Sequence, residues 1–262
     1  MISIDKLAYI STLRKINPME KFVFAIVTMI VCIALNNIAV SIIIILLMAI
    51  ITIFKGKIPA KIYGQLLLLP LVFLLIGIVT IAINIVGNSS EVLFSLTVFN
   101  VRLGGTKESI LISSKIFFKA LGSVSCLYFL TLNTPVFEVL SVLRKLKVPK
   151  LFVELMGLIY RFIFVLLDTA NMILVSQSSR LGYSTIKLSY ISLGKMITSL
   201  FISSYKRSQD IYTAMESRCY DGDINLIENN YVISYRNIFL IIFVEVFLII
   251  ISFYKNHLGG IV

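Results

Sequence analysis

Two apolar runs near the start of the chain decide the fold class: Phe22–Leu35, FVFAIVTMIVCIAL, and Val40–Phe54, VSIIIILLMAIITIF. Asn36 and Asn37 interrupt them. A transmembrane helix needs about 20 largely apolar residues, because its backbone polar groups must be satisfied within the segment. The two runs therefore predict two membrane spans joined by a very tight turn.

Three further apolar runs raise the prediction to about five spans. They are Leu66–Val86, Ile110–Leu132 and Ile238–Phe253. Between the third and fourth spans, Gly87–Lys107 reads as an extracytoplasmic loop with an extended segment. The polar first 21 residues do not resemble a cleaved signal peptide, so we expect the first span to remain as an anchor.

The composition supports the same class. Of 262 residues, 58% are hydrophobic and 14% charged, which excludes an ordinary cytosolic enzyme. The net charge of +11 could indicate nucleic acid, but the apolar content makes a lipid bilayer the expected partner. The three cysteines are too few and too scattered for a disulfide framework, so we expect them to be reduced.

Lysine and arginine are retained on the cytoplasmic side of a membrane, so their distribution predicts orientation. With five spans and a cytoplasmic N-terminus, 19 of the 24 cations fall on the cytoplasmic side. Only Arg102, Lys107 and Lys255 fall outside. Lys115 and Lys119 lie within the fourth span, where they either snorkel or face protein.

The region between the fourth and last spans predicts long cytoplasmic amphipathic helices. The predicted helices are Val136–Lys147, Leu151–Arg180 and Leu188–Arg218. We expect the Leu151 helix to stay on the cytoplasmic side, because a sixth span would reverse the charge bias; six spans remain the alternative. The predicted fold is an all-α integral membrane protein with a membrane domain (1–132), a coupling-helix domain (133–235) and a last transmembrane helix (236–262).

Three charged residues recur every seven positions along one side of the Leu151 helix: Glu154, Arg161 and Asp168. Seven residues cover about 10 Å of helix, which is too far for a direct pair. A structural polar seam between helices is therefore favoured over a catalytic relay.

Both long helices end in a similar motif. Gln177–Tyr183 reads QSSRLGY, and Met215–Gly222 reads MESRCYDG, so Ser-Arg recurs 38 positions later. A cation at a helix C-terminus can simply stabilise the helix dipole, with Gly182 and Gly222 helping the chain to turn. For the pair of motifs, docking of a partner protein is favoured, because a guanidinium can fork onto a carboxylate or onto carbonyls.

Six segments together carry a family resemblance. They are the two motifs above and the runs Asn133–Leu140, Leu143–Pro149, Phe152–Met156 and Leu158–Phe162. From about Lys15 onward the chain resembles the transmembrane T component of energy-coupling factor (ECF) transporters, most closely the CbiQ type of cobalt and nickel systems.

The resemblance implies a scaffold in a bacterial or archaeal cell membrane that joins two ATP-binding cassette ATPase subunits to a membrane-embedded substrate-binding subunit, CbiM-like or another S component. The implied docking triplets are Ser179-Arg180-Leu181 and Ser217-Arg218-Cys219. They depart from the broad Ala-Arg-Gly pattern, with Leu181 and Cys219 in place of glycine. The implied supporting residues are Glu154, Arg161, Asp168, Gln177, Gly182, Asp221 and Gly222.

The sequence lacks the G-x-x-x-x-G-K-[ST] phosphate-binding motif, so ATP and Mg²⁺ are expected on partner subunits and no cofactor on this chain. A lone histidine, His257, does not indicate a metal site. Two other functions stay open. One is a stand-alone permease or channel whose path includes Lys115, Lys119 and Glu245, and the weaker one is a membrane-embedded enzyme using Glu154 and Asp168. Cobalt and nickel cannot be distinguished, because the selecting residues would lie on another chain.

Overall fold

The computed structural model describes residues 4–82, 84–85, 92–98, 101–221, 231 and 234–259. The chain forms two compact units. Met1–Val142 and Asn230–Val262 make up the first, here called the bundle unit, and Leu143–Asn229 makes up the second, here called the hairpin unit. The three-part division at 132/133 and 235/236 stays a prediction.

The described part of the bundle unit is mostly helical. Its helices are α1 (Ile4–Ile10), a 3₁₀ turn (Thr12–Lys15), α2 (Pro18–Leu35), α3 (Ile38–Ile50), which continues as a π-helical turn (Ile51–Lys55), α4 (Ala60–Ala82), α5 (Lys107–Asn133), α6 (Val136–Lys145, whose last residues belong to the hairpin unit) and α9 (Tyr235–Gly259). Five stretches among the described residues are long and apolar enough to span a membrane: Pro18–Leu35, Ile38–Lys55, Ala60–Ile78, Ser109–Asn133 and Tyr235–Phe253. The predicted set of about five spans is confirmed.

The tight turn between the first two spans follows from its two asparagines. Asn36 has a φ of 46°, a left-handed conformation that asparagine tolerates and that ends α2. Asn37 then caps α3, because its side-chain oxygen accepts a hydrogen bond from the Ala39 amide at 3.1 Å.

The third span begins earlier than the predicted Leu66. Helix α4 starts at Ala60, directly after Pro59, whose carbonyl accepts hydrogen bonds from the amides of Ile62 (3.0 Å) and Tyr63 (3.2 Å). The prediction missed this turn because Lys61 broke the apolar run, although a lysine at a helix end can extend its ammonium toward the interface. Pro70 lies inside α4 and does not end it, as expected.

A small antiparallel sheet lies between α4 and α5 in the chain. Its strands are β1 (Asn84–Ile85), β2 (Val92–Val98) and β3 (Val101–Thr106), in the order β1-β3-β2. The expectation of an extended segment is confirmed for β2 and β3, whereas β1 lies inside the predicted third span, whose helix ends earlier, at Ala82. Residues 86–91 and 99–100 of the predicted loop lie outside the described part of the chain.

Helix α5 is central to the bundle unit and packs against α1, α2, α3 and α4. Phe129 of α5 meets Phe24 of α2 edge to face, with ring centroids 5.5 Å apart. Gly122 allows a close approach of the backbone, because a Cβ there would lie 2.8 Å from Cys32 Sγ. Ile44 and Met48 of α3 are fully buried in the same core.

A buried polar cluster that the sequence analysis did not single out holds α6 against the bundle. Glu138 forms ion pairs with Lys21 (3.4 Å) and Arg14 (3.6 Å), and it accepts a hydrogen bond from the Tyr231 hydroxyl at 2.9 Å. Lys21 is only 4% exposed and also donates to the Asn133 carbonyl at 3.0 Å. Because both charges are buried, removing one partner would leave the other uncompensated.

The hairpin unit contains α7 (Lys150–Ser179) and α8 (Ile186–Glu216). Gln177 Nε2 donates to the Ser192 carbonyl at 3.0 Å, and Tyr220, just beyond α8, donates its hydroxyl to Glu154 Oε2 at 3.4 Å. The first contact joins the end of α7 to the first part of α8, and the second joins the end of α8 to the first part of α7. The two helices are therefore antiparallel. The predicted pair of long uninterrupted helices is confirmed, with ends shifted by one or two residues.

Candidate functional site

The first Ser-Arg motif forms a Schellman turn at the end of α7. The Gly182 amide donates to the Gln177 carbonyl at 2.9 Å, and the Leu181 amide donates to the Ser178 carbonyl at 3.0 Å. Leu181 has a φ of 58°, in the left-handed region. Arg180 comes directly before this residue and is exposed.

The second motif forms the same turn beyond α8. The Tyr220 amide donates to the Met215 carbonyl at 3.1 Å, and the Cys219 amide donates to the Glu216 carbonyl at 3.0 Å. Cys219 has a φ of 57°, and Arg218 before it is exposed. The repeated sequence therefore produces a repeated backbone conformation.

The serines before the two arginines also behave alike. Ser179 Oγ donates to the Val175 carbonyl at 3.0 Å, and Ser217 Oγ donates to the Thr213 carbonyl at 2.9 Å. Each hydroxyl thus bonds back to the preceding turn of its own helix rather than projecting beside the arginine. An exposed guanidinium group is the charged feature that the two ends share.

Leu181 and Cys219, which stand where the Ala-Arg-Gly pattern has glycine, are the left-handed residues of the two turns. A side chain other than glycine in this conformation costs about 1–2 kcal/mol, and a bulky one is unusual there. Leu181 and Cys219 nevertheless adopt it. The turn that a glycine would favour is therefore kept without glycine, and Leu181 presents a side chain that is 72% exposed.

The first end is held by contacts within the turn and with the first part of α8. Tyr183 donates its hydroxyl to Gln177 Oε1 at 2.8 Å, and Ser192 Oγ donates to the Gly182 carbonyl at 2.9 Å. A Cβ on Gly182 would lie 2.8 Å from Ser192 Oγ and 2.9 Å from the Gln177 carbonyl oxygen. Gln177 and Gly182 thus take part in the contacts of the first end, whereas Ser192 carried no sequence signal that could have identified it.

The second end is supported differently. A hydrogen bond from the Tyr220 hydroxyl to Glu154 Oε2 connects this end to α7, and the Glu154 side chain is buried. Beside it lies a cavity of about 660 Å³ whose lining includes Arg161 and Arg218. Asp221 is exposed and also lines the cavity, while Gly222 lies outside the described residues.

The three charges spaced along α7 do not lie in one group. Glu154 contacts Tyr220 and Arg161 lines the cavity beside the second end, whereas Asp168 lies about two helical turns beyond Arg161 along α7. Fourteen residues separate Glu154 from Asp168, or about 21 Å along a helix. The structure therefore does not bring these two carboxylates together as a catalytic pair would require.

Lys115, Lys119 and Glu245 are the residues that would line the path if the chain were a permease. Glu245 is buried in α9 and accepts a hydrogen bond from Thr28 Oγ1 of α2 at 2.6 Å. Lys119 Nζ donates to Asn36 Oδ1 at 3.4 Å, at the turn between α2 and α3, and Lys115 is exposed. Lys119 thus both faces protein and extends toward a span end.

Among the described residues there is no group of three or more histidine, cysteine, aspartate or glutamate side chains that could hold a metal ion. The side chain of His257 lies outside that part of the chain.

These observations define a multi-pass helical membrane protein that carries an antiparallel pair of long helices with matching, exposed arginine ends. A family model described as "Cobalt transport protein", CbiQ, matches residues 10–228. The chain belongs to this CbiQ family of cobalt transport proteins. The resemblance inferred from the sequence motifs is thereby confirmed.

Curated relatives agree with this assignment. The chain is 34% identical over 250 residues to an uncharacterized protein of Methanocaldococcus jannaschii, covering 95% of this chain and 92% of the relative. It is 28% identical to the cobalt transport protein CbiQ of Salmonella typhimurium, covering 86% of this chain and 100% of the relative. It is 30% identical to the energy-coupling factor transporter transmembrane protein EcfT of Ruminiclostridium cellulolyticum, covering 81% of this chain and 80% of the relative.

The chain is therefore a transmembrane component of a transporter of the cobalt and energy-coupling factor type. Its named relatives are transport proteins rather than enzymes.

Proposed function

We propose that this chain is the coupling scaffold of an ECF-type importer, joining two ATPase subunits to a membrane-embedded substrate-binding subunit. The observation that carries the proposal is the repeated turn that exposes Arg180 at one end of the helix pair and Arg218 at the other. Two equivalent contact points suit two equivalent partners. The cation distribution supports a cytoplasmic N-terminus, with both ends on the ATPase side.

The spacing of the ends favours two partner subunits over one contact patch. Because α7 and α8 are antiparallel, Arg218 lies near Glu154. Arg180 lies 26 residues further along α7, or about 39 Å for a straight helix. A planar guanidinium exposed at each end can form paired hydrogen bonds with a carboxylate or with carbonyl groups in a partner groove.

Coupling would follow from the length of the helices. When ATP binding closes the ATPase pair, the two contact points would move, and α7 and α8 would carry this motion to the substrate-binding subunit. A partner can bias a scaffold only by binding its two states with different affinity. Large exposed apolar side chains, including Phe152 (61% exposed) and Phe201 (72%), offer a surface for that subunit or for lipid.

The proposed cargo is cobalt, or nickel. The Salmonella relative is named a cobalt transport protein, and the family model carries the same description. The metal would be recognised by the substrate-binding subunit, and ATP with Mg²⁺ would be held by the ATPases.

Co-purification with candidate ATPase subunits tests the docking assignment. We expect wild type to retain the ATPases and the Arg180→Ala/Arg218→Ala variant to lose at least tenfold in retention, because each arginine would be a central contact. The matched control is Lys187→Ala/Lys206→Ala, which removes two exposed cations from α8 and should retain them. Equal retention by the arginine variant and wild type would contradict the docking role.

Radiolabelled cobalt and nickel uptake separates the scaffold from the permease alternative. The chain reconstituted alone should move neither ion, and the complex with ATPases and the substrate-binding subunit should move at least one. Uptake by the chain alone would favour the permease.

A further inference from the structure

The chain crosses between its two compact units twice. It leaves the bundle unit after Val142, within α6, and returns to it at Asn230. The described residues beside the two crossings are here called the exit connection (136–142) and the return connection (231 and 234–237). A displacement of the hairpin unit that reaches the bundle unit through the chain must pass along these connections, so how each is held bears on coupling.

A single carboxylate joins the two connections. Glu138 lies on the exit connection, four residues before the crossing, and forms ion pairs with Lys21 of α2 at 3.4 Å and with Arg14 at 3.6 Å. Tyr231 lies one residue beyond the return crossing, and its hydroxyl donates to Glu138 Oε1 at 2.9 Å. Glu138 therefore links the exit connection to the bundle and to a residue 93 positions later in the chain.

The residue before Lys21 holds the return connection a second time. Glu20 Oε1 accepts a hydrogen bond from the Ser234 amide at 2.9 Å, and Glu20 Oε2 accepts one from the Asn237 side-chain amide at 2.8 Å. Ser234 comes directly before α9, so this carboxylate lies at a helix N-terminus, where negative charge is stabilising. Two neighbouring residues at the start of α2 thus each hold one connection.

Charges at this place do more than stabilise the fold. Lys21 and Glu138 are both buried, and a buried ion pair is often no more stabilising than apolar side chains of similar volume. Hydrogen bonds between charged groups add a defined geometry, because each donor must point at its acceptor. The charged groups therefore fix where the two connections are attached to the bundle.

We propose that Glu138 is a positioning residue for coupling. It fastens both connections to the start of α2, so that a displacement of the hairpin unit moves α2 and α9 together. This inference rests on the coupling function proposed above. Without the fastening the connections would yield, and ATP hydrolysis by the partner subunits would drive less transport.

The number of cobalt or nickel ions taken up per ATP hydrolysed tests the inference, measured in vesicles that contain the chain, the ATPases and the substrate-binding subunit. Tyr231→Phe removes the hydroxyl that reaches Glu138 and keeps the ring. We expect the ratio to fall roughly threefold to tenfold, because a hydrogen bond to a charged group is worth about that much or more in an equilibrium. ATPase retention should not change, since this contact lies within the bundle unit.

Two further variants complete the test. Tyr235→Phe is the matched control, because it changes an exposed tyrosine four residues later, and it should keep the wild-type ratio. Glu138→Gln also removes both ion pairs and should lower the ratio at least as far as Tyr231→Phe. It leaves Lys21 buried without its anion, so its thermal unfolding is measured as well, and Tyr231→Phe decides the outcome if the glutamine variant does not fold.

An unchanged ratio in Tyr231→Phe overturns the inference, and so does an equal fall in Tyr235→Phe. Loss of uptake at a constant ratio, together with loss of ATPase retention, would show a purely structural role and also overturns it. Failure of the coupling function itself is distinguishable, because the wild-type complex would then show no ATP-dependent uptake. Amide hydrogen exchange in the chain alone then decides: exchange across 136–142 should be faster in Tyr231→Phe than in Tyr235→Phe, and equal exchange would show that Glu138 does not join the connections.

Discussion

The ends of α7 and α8 share a backbone turn but differ in what holds it. At the first end, Gly182 is enclosed by Ser192 and Gln177, and Tyr183 completes the hydrogen-bonded group. At the second end, Tyr220 reaches α7 by a longer hydrogen bond beside an open cavity. Local hydrogen bonds between neighbouring residues set the shape of each turn, and the neighbouring helix sets how firmly it is held.

Gly182→Ala should have the largest effect on how firmly one end is held relative to the other. The added methyl group would meet Ser192 Oγ and the Gln177 carbonyl oxygen at less than 3 Å, so the turn must shift and lose hydrogen bonds. We expect amide hydrogen exchange across residues 177–183 to accelerate roughly tenfold or more. Exchange across 215–221 serves as the internal control and should not change. Unchanged exchange at the first end would show that the turn does not depend on this enclosure.

Tyr220→Phe should loosen the second end by a smaller amount. It removes the hydroxyl that reaches Glu154 at 3.4 Å, and one such hydrogen bond contributes about 0.5–1.5 kcal/mol. The expected result is faster amide exchange across 215–221 than in Tyr212→Phe, which changes an exposed tyrosine of α8. If the two variants exchange alike, the Tyr220 contact does not hold the end.

The smallest effects are expected from the left-handed residues. Leu181→Gly and Cys219→Gly relieve the steric cost of a positive φ but increase the entropy of the unfolded chain. The two terms nearly cancel, so we expect each variant to be more stable by about 0–1 kcal/mol. Thermal unfolding in detergent measures the stability of each variant relative to wild type. Ser178→Gly, inside α7, is the control and should be less stable than wild type. A loss of stability in Leu181→Gly similar to that control would show that the side chain itself stabilises the turn.

The sequence was most informative where the signal is local. The Asn36-Asn37 turn and the five apolar spans follow from side-chain type and run length, and the structure has them. The start of α4 was predicted six residues too late, because Lys61 was taken as an interruption. The buried pair of Lys21 and Glu138 was not predicted, because residues 117 positions apart give no local pattern.

The candidate site likewise has some features that the sequence predicted and others that depend on contacts between distant residues. The repeated Ser-Arg motif was visible in the sequence, and the family comparison agrees with the protein class that it indicated. The roles of Arg180 and Arg218 in docking remain predictions. Ser192 could not be selected, since a serine on an amphipathic helix is ordinary until its neighbours are known.

The sequence by itself determined the membrane spans, the long helices and the turn that follows each arginine, because apolar run length and hydrogen bonds between near neighbours act within a few residues. Only the tertiary structure decided that α7 and α8 are antiparallel, which places Arg180 and Arg218 at opposite ends of the pair and leaves an open cavity beside Arg218. Helix pairing depends on packing between residues far apart in the chain, and a periodic pattern on each helix does not specify its partner.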